Sequence, residues 1–336
     1  MADQATRINT ELLPGDDPGS LTRAAALLQQ GELVAVPTET VYGLAANAAD
    51  PIAVAKIFAA KGRPSQHPLI THIAGIEQLE QWAREVPAWL LQGLTQLWPG
   101  PLTVVLPKQA WVSEVITGGH DSIGLRVPAQ PLLRQLLQQS GLAVAAPSAN
   151  RYQQLSPTTA AHVMAGLQGR IAAVLDGGQC SLGTESTIIR PLLQANGSVA
   201  NSIEVLRPGP YTMSELAAQF QVPVQLPASH DIAVPGNMRV HYRPRAAVKL
   251  VADFSTQPLP PQLVGVVYSQ AAAQVLATAG VPTIQLPATA AGFRHGLYSA
   301  LHEADSQRPQ QILVEQPPQH DDWLDIWNRL LRASQA

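Results

Sequence analysis

Short apolar runs, cut by Pro, Gly and hydroxyl residues, set the rhythm of this chain. Leu33–Val36, closed by Pro37, reads as a buried strand, as do Leu69–Ile73, Leu102–Leu106, Ile123–Val127, Leu142–Ala146 and Ile171–Leu175. Thr187–Ile189 and Ile203–Leu206 complete the set. Between the runs the apolar spacing lengthens to that of helices. A helix is predicted over Leu21–Gln30, with Ser20 as cap and Gly31 as stop. Asp50-Pro51 opens a second, ending near Ala60. Others are predicted at Ile76–Arg84, Ala88–Leu97 and Pro131–Gln139, and Ser156-Pro157-Thr158 carries the signature of a further helix start. Strands and helices mix without strict alternation, which predicts an α/β domain with a large twisted mixed sheet.

From Gln219 to Arg245 the periodicity dissolves into Pro, Gln and His residues, the composition of a linker. Its centre, Pro235-Gly236-Asn237-Met238-Arg239-Val240-His241-Tyr242-Arg243-Pro244, holds too many aromatic and cationic groups for a neutral spacer. Beyond it, strands at Val248–Val251, Val264–Tyr268, Thr283–Leu286 and Gln311–Val314 alternate with helices at Ala271–Ala279, Gly296–Ala304 and Trp323–Ala333. That alternation predicts a small open parallel α/β unit, Rossmann-like in kind. The expected division is a domain over 1–215, a linker over 216–247 and a small C-terminal α/β domain over 248–336.

Composition narrows the class. The 336 residues suit about two domains. Charged residues are 13%, about half the usual share, and 29 prolines point to many fixed turns rather than disorder. A net charge of −3 gives no global basic character, so any nucleic-acid contact needs a local patch. Cys180, the only cysteine, excludes an internal disulfide and multi-cysteine metal sites, and reads as a small buried residue rather than a nucleophile. No apolar run approaches the ~20 residues of a membrane span. Met1–Leu13 has no secretory core, so the expected compartment is the reducing cytoplasm.

Candidate chemistry gathers in turns after strand-like runs. Lys61 and Arg63 stand two apart in Lys61-Gly62-Arg63-Pro64, a point charge and a fork both suited to phosphate. Read as a turn, the pair should tolerate replacement without loss of fold. Ser148 and Asn150 follow the run ending at Ala146, and Gly183-Thr184-Glu185-Ser186-Thr187 leads into another. Each of these alone is ordinary turn chemistry. Arg126 and Arg207 are isolated charges at strand ends, where an ion pair explains them about as well as a ligand. His72, inside a strand, reads by itself as a satisfied core histidine. Phosphate-loop, dinucleotide, nucleophile-elbow and zinc-protease motifs are all absent from the sequence. An enzyme of this kind supplies positioning and charge, and its substrate brings the attacking atom.

Six motifs occur in order: Pro-Thr-Glu-Thr-Val-Tyr-Gly-Leu at 37–44, Lys-x-Arg-Pro at 61–64, Pro-Ser-Ala-Asn at 147–150, Ser-Pro-Thr at 156–158, Gly-Thr-Glu-Ser-Thr at 183–187 and Arg-Pro-Gly at 207–209. Over residues 12–215 this series resembles the YrdC-type domain of the threonylcarbamoyl-AMP synthase family. Pro-Gly-x-x-x-x-His-Tyr-x-Pro at 235–244, followed by a small α/β domain, is similar to the family's long, two-domain form. The resemblance implies synthesis of threonylcarbamoyl-adenylate from L-threonine, bicarbonate and ATP, with release of pyrophosphate. It implies magnesium on the ATP phosphates, with no protein side chains as metal ligands. It also implies a partner transferase that passes the group to tRNA, and allows a weak tRNA contact. By similarity, Lys61, Arg63, Ser148 and Asn150 carry the chemistry and hold the nucleotide, with further ATP contacts from His67, Ser122, Ser156, Arg207 and Tyr242. Threonine contacts map to Thr40, His72, Arg126, the backbone of Ala146, and Ser186. His67 stands where the family often has Asn. The C-terminal helix begins Asp321-Asp322-Trp323-Leu324, without the family's Gly-rich start, which leaves open any ligand role for the small domain. Two other readings stand beside this one: a non-catalytic RNA-binding module, and a carbamoyltransferase module, which predicts zinc-finger cysteines.

Overall fold

The computed structural model describes residues 8–193, 199–228, 232–236 and 241–335. Residues 237–240 of the His-Tyr stretch, 229–231 of the expected linker, and 1–7 of the N-terminus lie outside the described residues. Among the described residues, eleven strands form one mixed sheet. In chain order they are β1 (Glu11–Pro14), β2 (Val34–Val36), β3 (Gly43–Asn47), β4 (Ile70–His72), β5 (Leu102–Pro107), β6 (Ser122–Arg126), β7 (Val144–Ala145), β8 (Ala173–Asp176), β9 (Thr187–Leu193), β10 (Val199–Arg207) and β11 (Val224–Gln225). In space they run β1-β8-β2-β3-β7-β4-β6-β5-β9-β10-β11. β4 is parallel to β6 and antiparallel to β7, and β5 is antiparallel to β6 and parallel to β9. The pleat sends Val34 and Val36 into one core and Ala35 into the other, so β2 is buried on both faces. That double burial is why such strands read as continuous apolar runs.

Some expectations change. The first helix is Pro18–Gln29, capped by Asp17, whose carboxylate accepts the Gly19 N–H. Asp followed by Pro makes the better start, and Ser20 falls inside the first turn. Ser156 caps nothing: the next helix is Ala160–Leu167, capped by Thr159. β3 escapes sequence reading because Gly-Leu-Ala-Ala-Asn has little strand propensity; β2 and β7 hold it from either side. The stretch expected to be linker from 216 begins as part of the large body. Thr212 and Glu215 form a capping box for helix Met213–Phe220, and β11 pairs with β10.

The second sheet has four parallel strands, β12 (Ala247–Val251), β13 (Leu263–Val267), β14 (Thr283–Gln285) and β15 (Gln311–Glu315), in the order β12-β15-β13-β14. This is the predicted open α/β unit. Its long helix begins at Ala290, capped by Thr289, because Gly292 and Gly296 mask the first turns in sequence. At the end of β15, Glu315 Oε2 accepts the N–H groups of Tyr268 (2.7 Å) and Ser269 (2.9 Å), at the start of helix Gln270–Thr278.

The small domain packs directly on the large one. Val41 and Leu155 of the large domain join its core. Thr184 donates to Asp325 at 2.8 Å, and Arg294 grips the same carboxylate at 2.7 and 3.0 Å. Gly183, at φ +88°, lies so near the helix backbone that a Cβ there would stand 2.5 Å from the Arg294 carbonyl oxygen. His162 and His302 stack across the seam at 3.9 Å, and Nε2 of His302 lies 3.1 Å from the Ser156 carbonyl oxygen.

Candidate active site

The ends of β4, β6, β9 and β10, and the loops after β2 and β7, converge on one polar cavity of about 50 Å³. Of the residues expected from sequence, Thr40, Arg63, His72, Arg126, Ala146, Ser148, Ser186, Arg207 and Tyr242 line it. Its open space suits only a few waters. Pro235, Gly236, His241 and Tyr242 form part of the wall, so the described ends of the His-Tyr stretch reach the cavity. Gly236 is at φ +81°, and a Cβ there would stand 2.1 Å from the Tyr242 hydroxyl, so only glycine lets that ring in.

Lys61, His67, Ser122, Asn150 and Ser156 do not line this cavity. Lys61 is the last residue of helix Pro51–Lys61, not a turn residue, and is buried. Its ammonium donates to the backbone carbonyls of Ser148 and Asn150, the latter at 2.6 Å, so it shapes the Ser148 turn from behind. Burial, with Arg63 nearby, holds its pKa well below the usual lysine range. The Asn150 amide is spent on the carbonyls of Arg151 and Gln154. Ser156 Oγ donates to Glu185 Oε1 at 2.6 Å, which is why it is unavailable as a helix cap. Ser122 lines an adjoining groove that shares Ile70 and Pro235 with the cavity. His67 is half-buried, 5.8 Å from the Tyr152 ring.

Cations dominate the wall. Arg63 Nη2 donates to the Pro68 carbonyl at 2.9 Å, while its Nε has no partner among the described residues. Burial pushes its pKa down to about 10, so it remains charged at neutral pH. Arg207 holds the Ser186 carbonyl with Nε (3.1 Å) and Nη2 (2.9 Å) and the Pro235 carbonyl with Nη1 (2.9 Å). Arg126 donates to Thr40 Oγ1 at 3.0 Å and to the Gly100 carbonyl at 3.2 Å. Its Nη2 lies 2.6 Å from Glu39 Oε1, an ion contact without the angle of a hydrogen bond. The isolated strand-end arginine is thus ion-paired and also faces the cavity.

Two neutral imidazoles complete the wall. Both ring nitrogens of His72 and Nδ1 of His241 lack partners among the described residues. Burial pushes each pKa down to about 3, with Arg126 adding to the effect at His72. His72 is therefore no satisfied core histidine. The Tyr242 hydroxyl is also unpartnered among the described residues.

Sequence reasoning singled out none of Thr38, Glu39, Glu185 and His241, although all four lie within the quoted motifs; Thr38, Glu185 and His241 line the cavity, and Glu39 reaches it only through Arg126. Glu185 accepts from Ser156, from Tyr298 (3.1 and 3.2 Å) and from Arg329 (2.9 Å). Burial alone would raise its pKa, but Arg329 and Arg207 outweigh it and hold the carboxyl below the usual range. Burial raises the Cys180 thiol to about 12, so it stays protonated. Among the described residues no group of three His, Cys, Asp or Glu side chains could hold a metal, and no helix is long and apolar enough to cross a membrane.

Comparison with known proteins places this geometry. A family model described as "Telomere recombination" (Sua5, YciO and YrdC) matches residues 26–209, and one described as "Threonylcarbamoyl-AMP synthase, C-terminal domain" matches residues 204–335. The threonylcarbamoyl-AMP synthase of Bacillus subtilis is 38% identical over 97% of this chain and 95% of its own. That of Pyrococcus abyssi is 37% identical over 93% of each. The crystal structure of P. abyssi Sua5 complexed with L-threonine matches at TM-score 0.83 and 35% identity, covering 97% of both chains. With both domain models matched in order and such relatives aligned nearly end to end, this chain belongs to the threonylcarbamoyl-AMP synthase family, in its two-domain form.

Proposed function

We propose that this chain is an L-threonylcarbamoyladenylate synthase, a nucleotidyltransferase that joins threonine, bicarbonate and ATP and releases pyrophosphate. One observation carries the reading: Arg63, Arg126 and Arg207 converge with neutral His72 and His241 on a single cavity. Threonine's amine and bicarbonate combine to a carbamate with loss of water. A carbamate oxygen then attacks the α-phosphorus, and the bond to pyrophosphate breaks. Both reactants are anionic, so fixed cations offset their repulsion and the charge growing on the leaving group. No protein nucleophile is needed.

Arg63, with an uncommitted Nε, is the phosphate contact, and Ser148 stands beside it in the wall. Arg126, Thr40, His72, Ser186 and the Ala146 backbone form the threonine side; that the Pyrococcus relative was solved with L-threonine supports threonine as a ligand. Lys61 and Asn150 act behind the wall, by holding the Ser148 turn. Magnesium comes with the nucleotide and neutralises phosphate charge; the cavity's cations suit phosphates that it only partly neutralises. Tyr242 closes the mouth, and its segment must open for ATP to enter, since the closed space is small. Closure excludes water from a labile mixed anhydride. In this division of labour the large sheet with its helices, through β11, carries the chemistry, the stretch around Tyr242 closes the mouth, and 248–336 supports it from behind. The product goes to a transferase acting on tRNA in the cytoplasm; a weak contact with that tRNA would be local.

The test is pyrophosphate release by the purified full chain, with the adenylate identified by mass. Release that needs all three substrates together supports the reading. ATP or RNA binding without turnover would favour a binding module. Turnover of carbamoyl phosphate in place of threonine and bicarbonate would favour the carbamoyltransferase, although a chain with one cysteine has no zinc fingers for it.

A further inference from the structure

Arg329 belongs to the last helix of the small domain, Leu324–Ser334, yet its guanidinium is buried against the large domain. Nε donates to Glu185 Oε2 at 2.9 Å, Nη2 to the Glu185 carbonyl at 3.1 Å, and Nη1 to the Pro208 carbonyl at 2.6 Å. Its central carbon lies 5.7 Å from the centroid of the Tyr242 ring. Glu185 and Tyr242 line the cavity, and Arg329 does not. One side chain outside the cavity therefore fixes two residues of its wall.

Charge gives this contact its purpose. Glu185 is a carboxylate beside a space built for anions. Ser156 and Tyr298 donate hydrogen bonds to it but bring no positive charge. Arg207 is close, but its donors are committed to Ser186 and Pro235. Arg329 is the cation bonded directly to the Glu185 carboxylate. A bare carboxylate at that wall would repel a nucleotide, and the effect is strong where water is excluded.

We infer that Arg329 is a positioning residue for the reaction: it neutralises Glu185 and seats the Tyr242 ring, so the small domain completes the electrostatics of a site it does not line. This rests on the adenylate-synthase reading. Full-length wild type that releases no pyrophosphate with all three substrates overturns both; the variants below overturn the Arg329 assignment alone.

Arg329→Met keeps most of the volume and loses the charge. It should raise the KM for ATP about tenfold while kcat changes less than about threefold. Adding Glu185→Gln removes the bare charge and should bring that KM back to within about threefold of wild type. A merely structural role moves the other way, because the double variant has lost still more contacts across the seam. Arg329→Lys, with charge but no fork, should fall between wild type and Arg329→Met. A wild-type KM in Arg329→Met, or a double variant no better than the single, overturns the assignment. Where Arg329→Met is not recovered folded, the double variant decides: a near-wild-type KM supports the assignment, and a rise of about tenfold overturns it.

Discussion

Lys61 and Arg63 are two residues apart and differ in what they touch. Lys61 satisfies buried carbonyls of Ser148 and Asn150. Lys61→Ala leaves these acceptors unpaired, at a cost of about 1–3 kcal/mol each. The variant should unfold at lower urea and also lose activity. Arg63 keeps a free Nε at the cavity. Arg63→Ala frees only the part-buried Pro68 carbonyl, so its urea midpoint should fall less than that of Lys61→Ala, while ATP binding weakens by about 1.5–3 kcal/mol, the worth of one charge-assisted contact. Equal midpoints for the two variants would remove the distinction. The motif Lys-Gly-Arg-Pro identifies both residues but not the difference between them. That difference depends on where the helix ends, and Gly62, in the left-handed conformation, ends it just after Lys61.

At the scale of elements, Asp325 joins the last helix to the rest. It is buried, held by Arg294 from the helix Ala290–Ser306 and by Thr184 from the large domain. Arg294→Met leaves that carboxylate without its cation and should cost about 3–5 kcal/mol of small-domain stability. Chemical denaturation followed by tryptophan fluorescence reads this directly, since Trp323 and Trp327 flank the site. A change within experimental scatter would show that Thr184 alone suffices. Legibility at this scale followed burial. Strands covered on both faces, such as β2 and β4, stood out as apolar runs. β1, at the sheet edge, and β3, rich in alanine, did not. Where caps decided, rivalry mattered: Asp50-Pro51 had no rival, whereas Ser20 competed with Asp17 and Ser156 was taken by Glu185. In the site, motif residues of the large domain were legible. Arg329 and Tyr298 were not, because their partner Glu185 lies more than a hundred residues earlier in the chain.

Across the whole molecule the seam carries a proton-sensitive contact. Burial, and then the neighbouring ring, pushes the His162 pKa down to about 4, and burial lowers that of His302. Both rings are therefore neutral when the domains are docked. In the unfolded chain they titrate near pH 6.5. Their contribution to stability is complete above that value and is lost as pH falls below it, that of His162 toward about 4. His162→Phe keeps the stack and removes one titration. Its melting temperature should fall less than that of wild type between about pH 7 and pH 5. Parallel profiles would show that the pair does not sense the proton.

On the far side of the small sheet, the Glu315 carboxylate acts as a tethered competitor. It accepts the N–H groups of Tyr268 and Ser269, just before helix Gln270–Thr278, at the carboxyl end of the strands, where open α/β sheets receive phosphates. A free anion arriving there meets like charge and a rival supplied by the same chain, always at high local concentration. The carboxyl end of this sheet thus carries an acid of its own. What the domain still offers is its flank, the helices Ala290–Ser306 and Leu324–Ser334, and these face the neighbour's cavity wall. The contacts it makes in this structure are those of a brace at a second site.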